Sequence, residues 1–343
     1  MGGAGMPQPL VTIVVVPRER FSVSQRSLEA IYANTAPPFD LVYVDGGSPS
    51  RIRRYLADQS RARGFTLVRT PHHLVPNAAR NLGVRHVRTR YVAFIDNDAV
   101  PAPGWLPALV ECAESTGAWV VGPLYFIGEP EAQRIHMAAG DARIEDRPSG
   151  RRFIERHRFA DKRPDEVRAQ LVRQPCEHVE FHCMLVRTEV FERLGPLDEQ
   201  LKSIAEHTDL CLLVRREGGT VYFEPASAVT YITSGGFTAA DYAYFARRWS
   251  RAWNQTSLEH FRTKWDLPPG EAGLASIARW SEAHRHIPLR PMLRALERGL
   301  GWRCGGWLGR RLLAVEGQLN RWWEPIPGGA SRSAGPVAER ANV

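Results

Sequence analysis

The sequence predicts an α/β protein built on a mostly parallel, twisted sheet flanked by helices, with a helical C-terminal extension. Three observations carry this. Leu10-Val11-Thr12-Ile13-Val14-Val15-Val16 is a nearly unbroken β-branched run, which suits a strand covered on both faces, as in a parallel sheet. Strand-like and helix-like stretches then alternate as far as residue 122, the order of a doubly wound layer. Finally, Asp96-Asn97-Asp98 follows the apolar run Tyr91-Val92-Ala93-Phe94-Ile95. Two carboxylates thus stand at the carboxyl end of a buried strand, where open α/β sheets bind their ligands.

Taken in order, Ser24 to Asn34 reads as a helix, Leu41 to Val44 as a strand, and Arg51 to Gly64 as a basic helix closed by its glycine. Phe65 to Val68 is a third strand, Asn77 to His86 a helix, and Tyr91 to Ile95 a fourth strand, stopped by Pro101, Pro103 and Gly104. A helix over Trp105 to Ser115 and a strand over Ala118 to Gly122 follow. Residues 129–175 are rich in Arg, Asp, Glu and His with little apolar periodicity, and read as a mobile insertion over the acceptor side of a site. Val179 to Val186 reads as a strand, Glu189 to Leu194 and Glu206 to Glu217 as helices, and Val221 to Phe223 as a strand. The expected organisation is a catalytic layer over 1–236, a helical extension over 237–327, and a disordered Gly-, Ser-, Ala- and Pro-rich tail over 328–343.

The 343 residues suffice for a large core, with 43% hydrophobic and 24% charged residues typical of globular chains. The net charge of +8 comes mainly from arginine, whose fork grips phosphate and carboxylate better than lysine does. No nucleic-acid recognition motif accompanies it. The five cysteines (Cys112, Cys176, Cys183, Cys211 and Cys304) are scattered and contain no C-x-x-C pair. They argue for free thiols in a reducing compartment. With no leader-like or membrane-length apolar run near Met1, the expected location is cytoplasmic.

Several short motifs carry chemistry. Hard carboxylate oxygens at Asp96 and Asp98 suit Mg²⁺ or Mn²⁺ bridging the phosphates of a nucleotide, against the plainer reading of a solvated turn. Asp45-Gly46-Gly47-Ser48 ends the second strand; its glycines let a ligand approach, and Asp45 can accept hydrogen bonds from a base or ribose. Pro17-Arg18-Glu19-Arg20 ends the first strand and adds Glu19 to the same edge. Acids gathered there repel unless a metal or ligand compensates. Arg80 can touch a diphosphate, or can be a surface arginine on a packed helix. Glu206-His207-Thr208-Asp209 opens a helix on which Glu206 and Asp209 share a face. His207, with an ordinary pKa of about 6.5, can act as a general base, its acidic neighbours raising that value. His178, Glu180 and His182 alternate along the expected strand; a polar acceptor cleft is the stronger reading, since no further metal ligand is evident. Arg290 to Trp323 interleaves arginine with Trp302, Trp307, Trp322 and Trp323. That pattern suits peripheral membrane contact, although a packing lid with snorkelling arginines is favoured.

The ordered set resembles family-2 glycosyltransferases of the GT-A fold. It comprises Pro17 to Arg20, Val44 to Pro49, Ala79-Arg80-Asn81-Leu82-Gly83, Phe94 to Asp98, Met184 to Glu199, and Glu206-His207-Thr208-Asp209-Leu210-Cys211. The resemblance spans residues 10–235 and implies a Rossmann-like sheet. It implies inverting transfer of a sugar from a nucleoside-diphosphate sugar to an acceptor hydroxyl, whether on a glycan, a lipid-linked carrier or a small molecule. It places Pro17, Glu19, Asp45, Arg80 and Asp96 around the donor, with Asp45 on the base and Asp96 on the ribose. Asp98, with Asp96, would hold Mn²⁺ or Mg²⁺. His207 stands where the family usually has its catalytic carboxylate, with Glu206 and Asp209 as alternatives. Tyr231 stands near where the family often has a metal-binding histidine. A nucleotidyltransferase would want a glycine-rich phosphate loop after the first strand, which Pro17-Arg18-Glu19-Arg20 lacks. A non-catalytic nucleotide-sugar binder is the reading from another class, left open by His207.

Overall fold

The computed structural model describes residues 8–148 and 150–322. The β-branched run forms β1 (Val11–Val16), buried along its whole length. After it come α1 (Ser24–Asn34), β2 (Asp40–Gly46), α2 (Ser50–Arg63), β3 (Thr66–Thr70), α3 (Pro76–Val84) and β4 (Tyr91–Asp96). Gly64 caps α2 as expected, left-handed at φ 74°, with its N–H on Ser60 O at 2.9 Å. β5 (Ala99–Pro101), α4 (Trp105–Thr116), β6 (Val120–Ile127), β7 (Ile135–Met137), β8 (Gly140–Arg147), β9 (Gly150–His157), β10 (Gln174–Cys176) and β11 (Cys183–Arg187) follow. α5 (Glu189–Leu194), α6 (Glu206–Arg216) and β12 (Val221–Tyr231) complete the layer.

Among the described residues the main sheet has ten strands, in the order β10-β12-β6-β11-β4-β1-β2-β3, with β5 beside β12 and β7 beside β6. The block β4-β1-β2-β3 is parallel, as is β6 with β12; β11 runs antiparallel between β4 and β6. Strand order reverses between β1 and β4, so their carboxyl ends flank the crevice where such sheets take ligands.

The structure differs from the sequence expectation in four places. Ala99–Pro101 is a short strand and not a stop, because it needs only one partner, β12, and an edge tolerates proline. β12 runs to Tyr231, absorbing Pro225 in a register shift between Glu224 and Ala228. Val179 to His182 lies outside β11: His178 forms an isolated bridge to Gly140, and the chain turns at Phe181 and His182. The 129–175 segment carries regular structure, notably the β8–β9 hairpin. The apolar partners of Phe153 on that hairpin come from far along the chain, among them Phe261 and Leu274, so local periodicity does not reveal them.

The C-terminal part is helical: α7 (Ala239–Arg248), α8 (Arg251–Lys264), α9 (Ala272–Arg285) and α10 (Arg290–Trp322), the last broken at Gly301 with φ 74°. It packs through Phe261, Trp265 and Leu274 against Phe153 and Leu212, and through Phe245 and Trp249 against Ile204. On α10, Trp302 and Trp307 are exposed, with Arg303 and Arg311 beside their rings. No helix among the described residues is long and apolar enough to cross a membrane. The tail expected to be disordered lies outside the described residues.

Candidate active site

The β1–β4 pairing sets Val16 beside Asp96, so the Pro17–Arg20 and Asp96–Asp98 segments leave the sheet together. Asn97 joins them: its Oδ1 accepts the Arg18 N–H at 2.8 Å, and its Nδ2 donates to Ser24 Oγ at 2.8 Å. Asp96 faces Arg80 at 3.5 Å and Arg18 at 3.7 Å, and accepts the His182 Nδ1–H at 3.0 Å. Asp98 Oδ2 accepts the Glu19 N–H at 3.2 Å. Burial, with Asp96 and Glu19 nearby, pushes the Asp98 carboxyl well above its ordinary range. Oδ1 of Asp96 and Oδ1 of Asp98 are buried with no hydrogen-bond donor. Such crowded, orphaned carboxylate oxygens fit a hard divalent cation.

Glu19 is enclosed by the other end of the chain. Its Oε1 accepts N–H groups from Trp249 at 3.0 Å and His284 at 3.1 Å, and its Oε2 accepts the Tyr231 hydroxyl. Burial would raise its pKa, but His284 and Arg18 outweigh that and hold it below the carboxylate range. Pro17 is tied in through its carbonyl, which accepts the Tyr244 hydroxyl at 3.2 Å. Asp45 is buried at the end of β2, accepting the Ser48 N–H and the Arg69 Nε–H, each at 3.0 Å. A Cβ on Gly47 would lie 2.9 Å from the His72 backbone, and its φ is 74°, so this turn requires glycine.

Arg80 is fully buried, not a surface residue. It lies over the Phe181 ring at 3.8 Å and pairs with Asp96 and, at 4.0 Å, with Glu206. It sits there because α3 lies against β1 at Gly83, where a Cβ would come within 2.3 Å of Val14. Burial among Arg248 and Arg18 lowers its pKa to about 10 despite the two acids. Arg248, from α7, donates to Glu206 at 3.0 Å, and Arg18 lies 3.7 Å from the same carboxylate. Burial opposes ionisation of Glu206, yet Arg248, His207 and the other arginines hold its pKa at about 2. Guanidinium nitrogens of Arg18, Arg80 and Arg248 remain buried without acceptors, a set of donors suited to an anion such as a diphosphate.

The other two members of the α6 motif diverge. Asp209 turns away, accepting from Lys264 at 2.8 Å and Trp265 at 2.9 Å, so the structure does not bring it to the strand ends. His207 faces the site, stacked on His178 with ring centroids 4.8 Å apart and its Nε2 4.0 Å from Glu180. The expected upward shift of its pKa is reversed: burial lowers it to about 4, outweighing Glu180 and Glu206. His178, Glu180 and His182 converge despite not sharing a strand, joined by His136 from β7 and His157 from β9. Glu155 on β9 accepts the Thr208 hydroxyl at 2.9 Å, and burial raises its pKa to about 7.

Sequence reasoning missed Arg248, Trp249 and His284 on the C-terminal helices, and His136, Glu155 and His157 in the insertion. The one available signal was the density of histidine and acid in residues 129–175.

Residues 12–195 match the family described as Glycosyl transferase family 2. The chain is 25% identical over 215 residues to an uncharacterized protein, y4gI, of Sinorhizobium fredii (strain NBRC 101917 / NGR234), covering 61% of this chain and 23% of that protein. It is 26% identical over 161 residues to the pre-mycofactocin glycosyltransferase of Mycobacterium tuberculosis, covering 47% of this chain and 31% of that enzyme. The matched stretches therefore make up less than a third of these relatives. Among solved structures, GalNAc-T7 with UDP, GalNAc and Mn²⁺ superposes with a TM-score of 0.52 at 17% identity, over 82% of this chain and 55% of that one. The mannosyltransferase PcManGT of Pyrobaculum calidifontis, in complex with GDP-Man and Mn²⁺, superposes with a TM-score of 0.50 at 15% identity, over 93% and 88%. At these identities the likeness is one of fold, the GT-A fold.

Proposed function

Because the chain belongs to glycosyl transferase family 2, we propose that it moves a sugar from a nucleoside-diphosphate sugar to an acceptor hydroxyl, with inversion and with a divalent cation on the diphosphate. The observation that carries this reading is the charge pattern at the β1 and β4 ends. Buried carboxylate oxygens without donors stand beside buried guanidinium nitrogens without acceptors. A metal–diphosphate pair answers both, and both solved neighbours hold Mn²⁺ with a nucleotide or nucleotide sugar.

In this reading Asp98, with Asp96, holds Mn²⁺ or Mg²⁺, which when bound neutralises charge developing on the leaving diphosphate. Asp45 contacts the base, Pro17 and Glu19 shape the donor side, and Arg18 and Arg80 stabilise the phosphates. Asp96 is the ribose contact, oriented by His182. The acceptor oxygen bonds to the anomeric carbon as the bond from that carbon to the diphosphate oxygen breaks, and the diphosphate leaves with the electron pair. His207 takes the hydroxyl proton; its lowered pKa leaves it neutral at pH 7, so its free nitrogen is available. Glu206, clamped by Arg248 at 3.0 Å, is a positioning residue, and Asp209 is held away from the strand ends by Lys264 and Trp265.

The test is calorimetry with UDP and GDP, with and without Mn²⁺, on the wild type and Asp98→Asn, followed by assay of donor hydrolysis. Mn²⁺-dependent nucleotide binding that Asp98→Asn abolishes, together with slow donor hydrolysis, is expected. Unchanged Mn²⁺-dependent affinity in the variant refutes the metal assignment. Binding without any hydrolysis or transfer leaves the nucleotide-sugar binder.

A further inference from the structure

The histidines on the acceptor side form a second cluster, separate from Asp98. Glu180, almost fully buried, lies 2.9 Å from His136 Nε2, 3.5 Å from His157 Nε2, 3.8 Å from His182 Nε2 and 4.0 Å from His207 Nε2. His136 Nε2 is the one nitrogen within hydrogen-bond distance of Glu180 Oε2, at 2.9 Å and poorly aligned, and neither ring nitrogen of buried His178 has a partner. A buried carboxylate ringed by imidazoles, only one of them within hydrogen-bond distance, is costly as a purely structural device.

The tautomer of His182 sharpens the point. Asp96 Oδ2 can only accept, so the 3.0 Å contact places the proton of His182 on Nδ1. Nε2 is then unprotonated and lies 3.8 Å from Glu180 Oε2. Two acceptors this close, one of them a carboxylate, are best reconciled by a cation that both can ligate. An imidazole whose distal N–H is held by a carboxylate is also the usual outer support of a metal-bound histidine.

We propose that His136, Glu180 and His182 form a divalent-metal site of the zinc class, distinct from the cation expected at Asp98. Their ligand atoms all lie within 4.8 Å of one another, and zinc bonds of about 2.0–2.1 Å bring tetrahedral ligands to about 3.3 Å, so modest side-chain rotation closes the set. Two imidazoles and one carboxylate suit zinc better than Mg²⁺ or Ca²⁺. Three protein ligands leave one position open for water or a substrate atom. The third ligand that the sequence did not reveal, His136, comes from β7, where it pairs with β6. The site stands on these contacts alone and does not depend on the transferase reading.

The experiment uses the whole 343-residue chain, stripped with EDTA and titrated with zinc by calorimetry, with cobalt substitution to record ligand-field bands. The wild type is expected to bind one zinc and to give the bands of a tetrahedral cobalt site. His136→Ala and Glu180→Gln are expected to weaken zinc by roughly a hundredfold or more, beyond the range seen when only an outer-sphere partner is lost. Asp98→Asn should bind zinc as the wild type does. His136 is the partly exposed member, so His136→Ala carries the test if Glu180→Gln fails to fold, judged by circular dichroism. The proposal is overturned by absence of zinc binding in the wild type, by wild-type affinity in His136→Ala, or by loss of zinc in Asp98→Asn. Loss of zinc in His178→Ala with retention in His136→Ala also overturns it, placing the ion in one of the two groups that contain His178, with Glu155 and His207 if Glu180→Gln keeps zinc and with His157 and Glu180 if it does not.

Discussion

Arg248 reaches Glu206 at 3.0 Å, closer than Arg18 at 3.7 Å or Arg80 at 4.0 Å. With an effective dielectric constant of about 20, these separations correspond to attractions of about 5.5, 4.5 and 4 kcal/mol. Arg248 thus supplies roughly two-fifths of what keeps Glu206 ionised. Both side chains are fully buried, so water does not replace a lost partner. Arg248→Met keeps most of the stem and deletes the charge. It should cost about 3 kcal/mol, the lower end for a broken buried pair, because two cations remain. Glu206→Gln, which strips three guanidiniums of a shared anion, should cost a similar amount. The double variant leaves neither orphan, so it should be more stable than the sum of the single changes by about 2 kcal/mol. Urea unfolding of the four proteins at pH 7 in EDTA measures this coupling. Additivity within about 0.5 kcal/mol would refute the reasoning.

Three further outcomes are expected. Glu206, held at about 2 against an ordinary 4.5, contributes stability that is present above pH 4.5 and lost as the pH falls towards 2. The stability gap between wild type and Glu206→Gln should therefore narrow by about 1.6 kcal/mol between pH 4.5 and 3, the slope staying below the full ~1.36 kcal/mol per pH unit because the unfolded carboxyl is only half protonated at pH 4.5; a constant gap in acid unfolding contradicts this. Asp45→Ala should weaken the free nucleoside diphosphate as much as the sugar donor, and a calorimetric loss confined to the sugar-bearing ligand would remove the base-contact role. Gly83→Ala, whose Cβ would lie 2.3 Å from Val14, should cost about 1–3 kcal/mol by overpacking and weaken nucleotide binding by shifting Arg80; an unchanged melting temperature speaks against it.

The parallel half of the fold was legible because its signals are local. The β-branched run at Val11–Val16, the cap at Gly64 and the acids after Ile95 each depend on residues a few positions apart. The reversal at β11 and the β8–β9 hairpin were not legible, since Phe153 finds its partners on α8 and α9 and strand direction has no local code. In the candidate site, Asp96, Asp98, Glu19 and Asp45 could be gathered on one edge from strand ends alone, whereas the burial of Arg80 on its helix could not. The direction of Asp209 depended on Lys264 and Trp265, and the fall in the His207 pKa on burial beneath elements remote in sequence. His136 stood inside a segment whose polar composition masked a strand.

Glu19 makes its contacts with Trp249 and His284 across 230 and 265 positions of chain, and Pro17 meets Tyr244 across 227. Such separations carry a kinetic cost, because loop closure must precede the contacts that reward it. They also set an order of events during synthesis. When β12 leaves the ribosome, every strand of the sheet exists, but Glu19 still lacks its indole and imidazole donors and Glu206 its nearest guanidinium. The sheet can form early; the pocket is completed only when α7 to α9 arrive. A nascent chain stalled at residue 236 would expose charged strand ends with few of their partners, the kind of intermediate that chaperones retain.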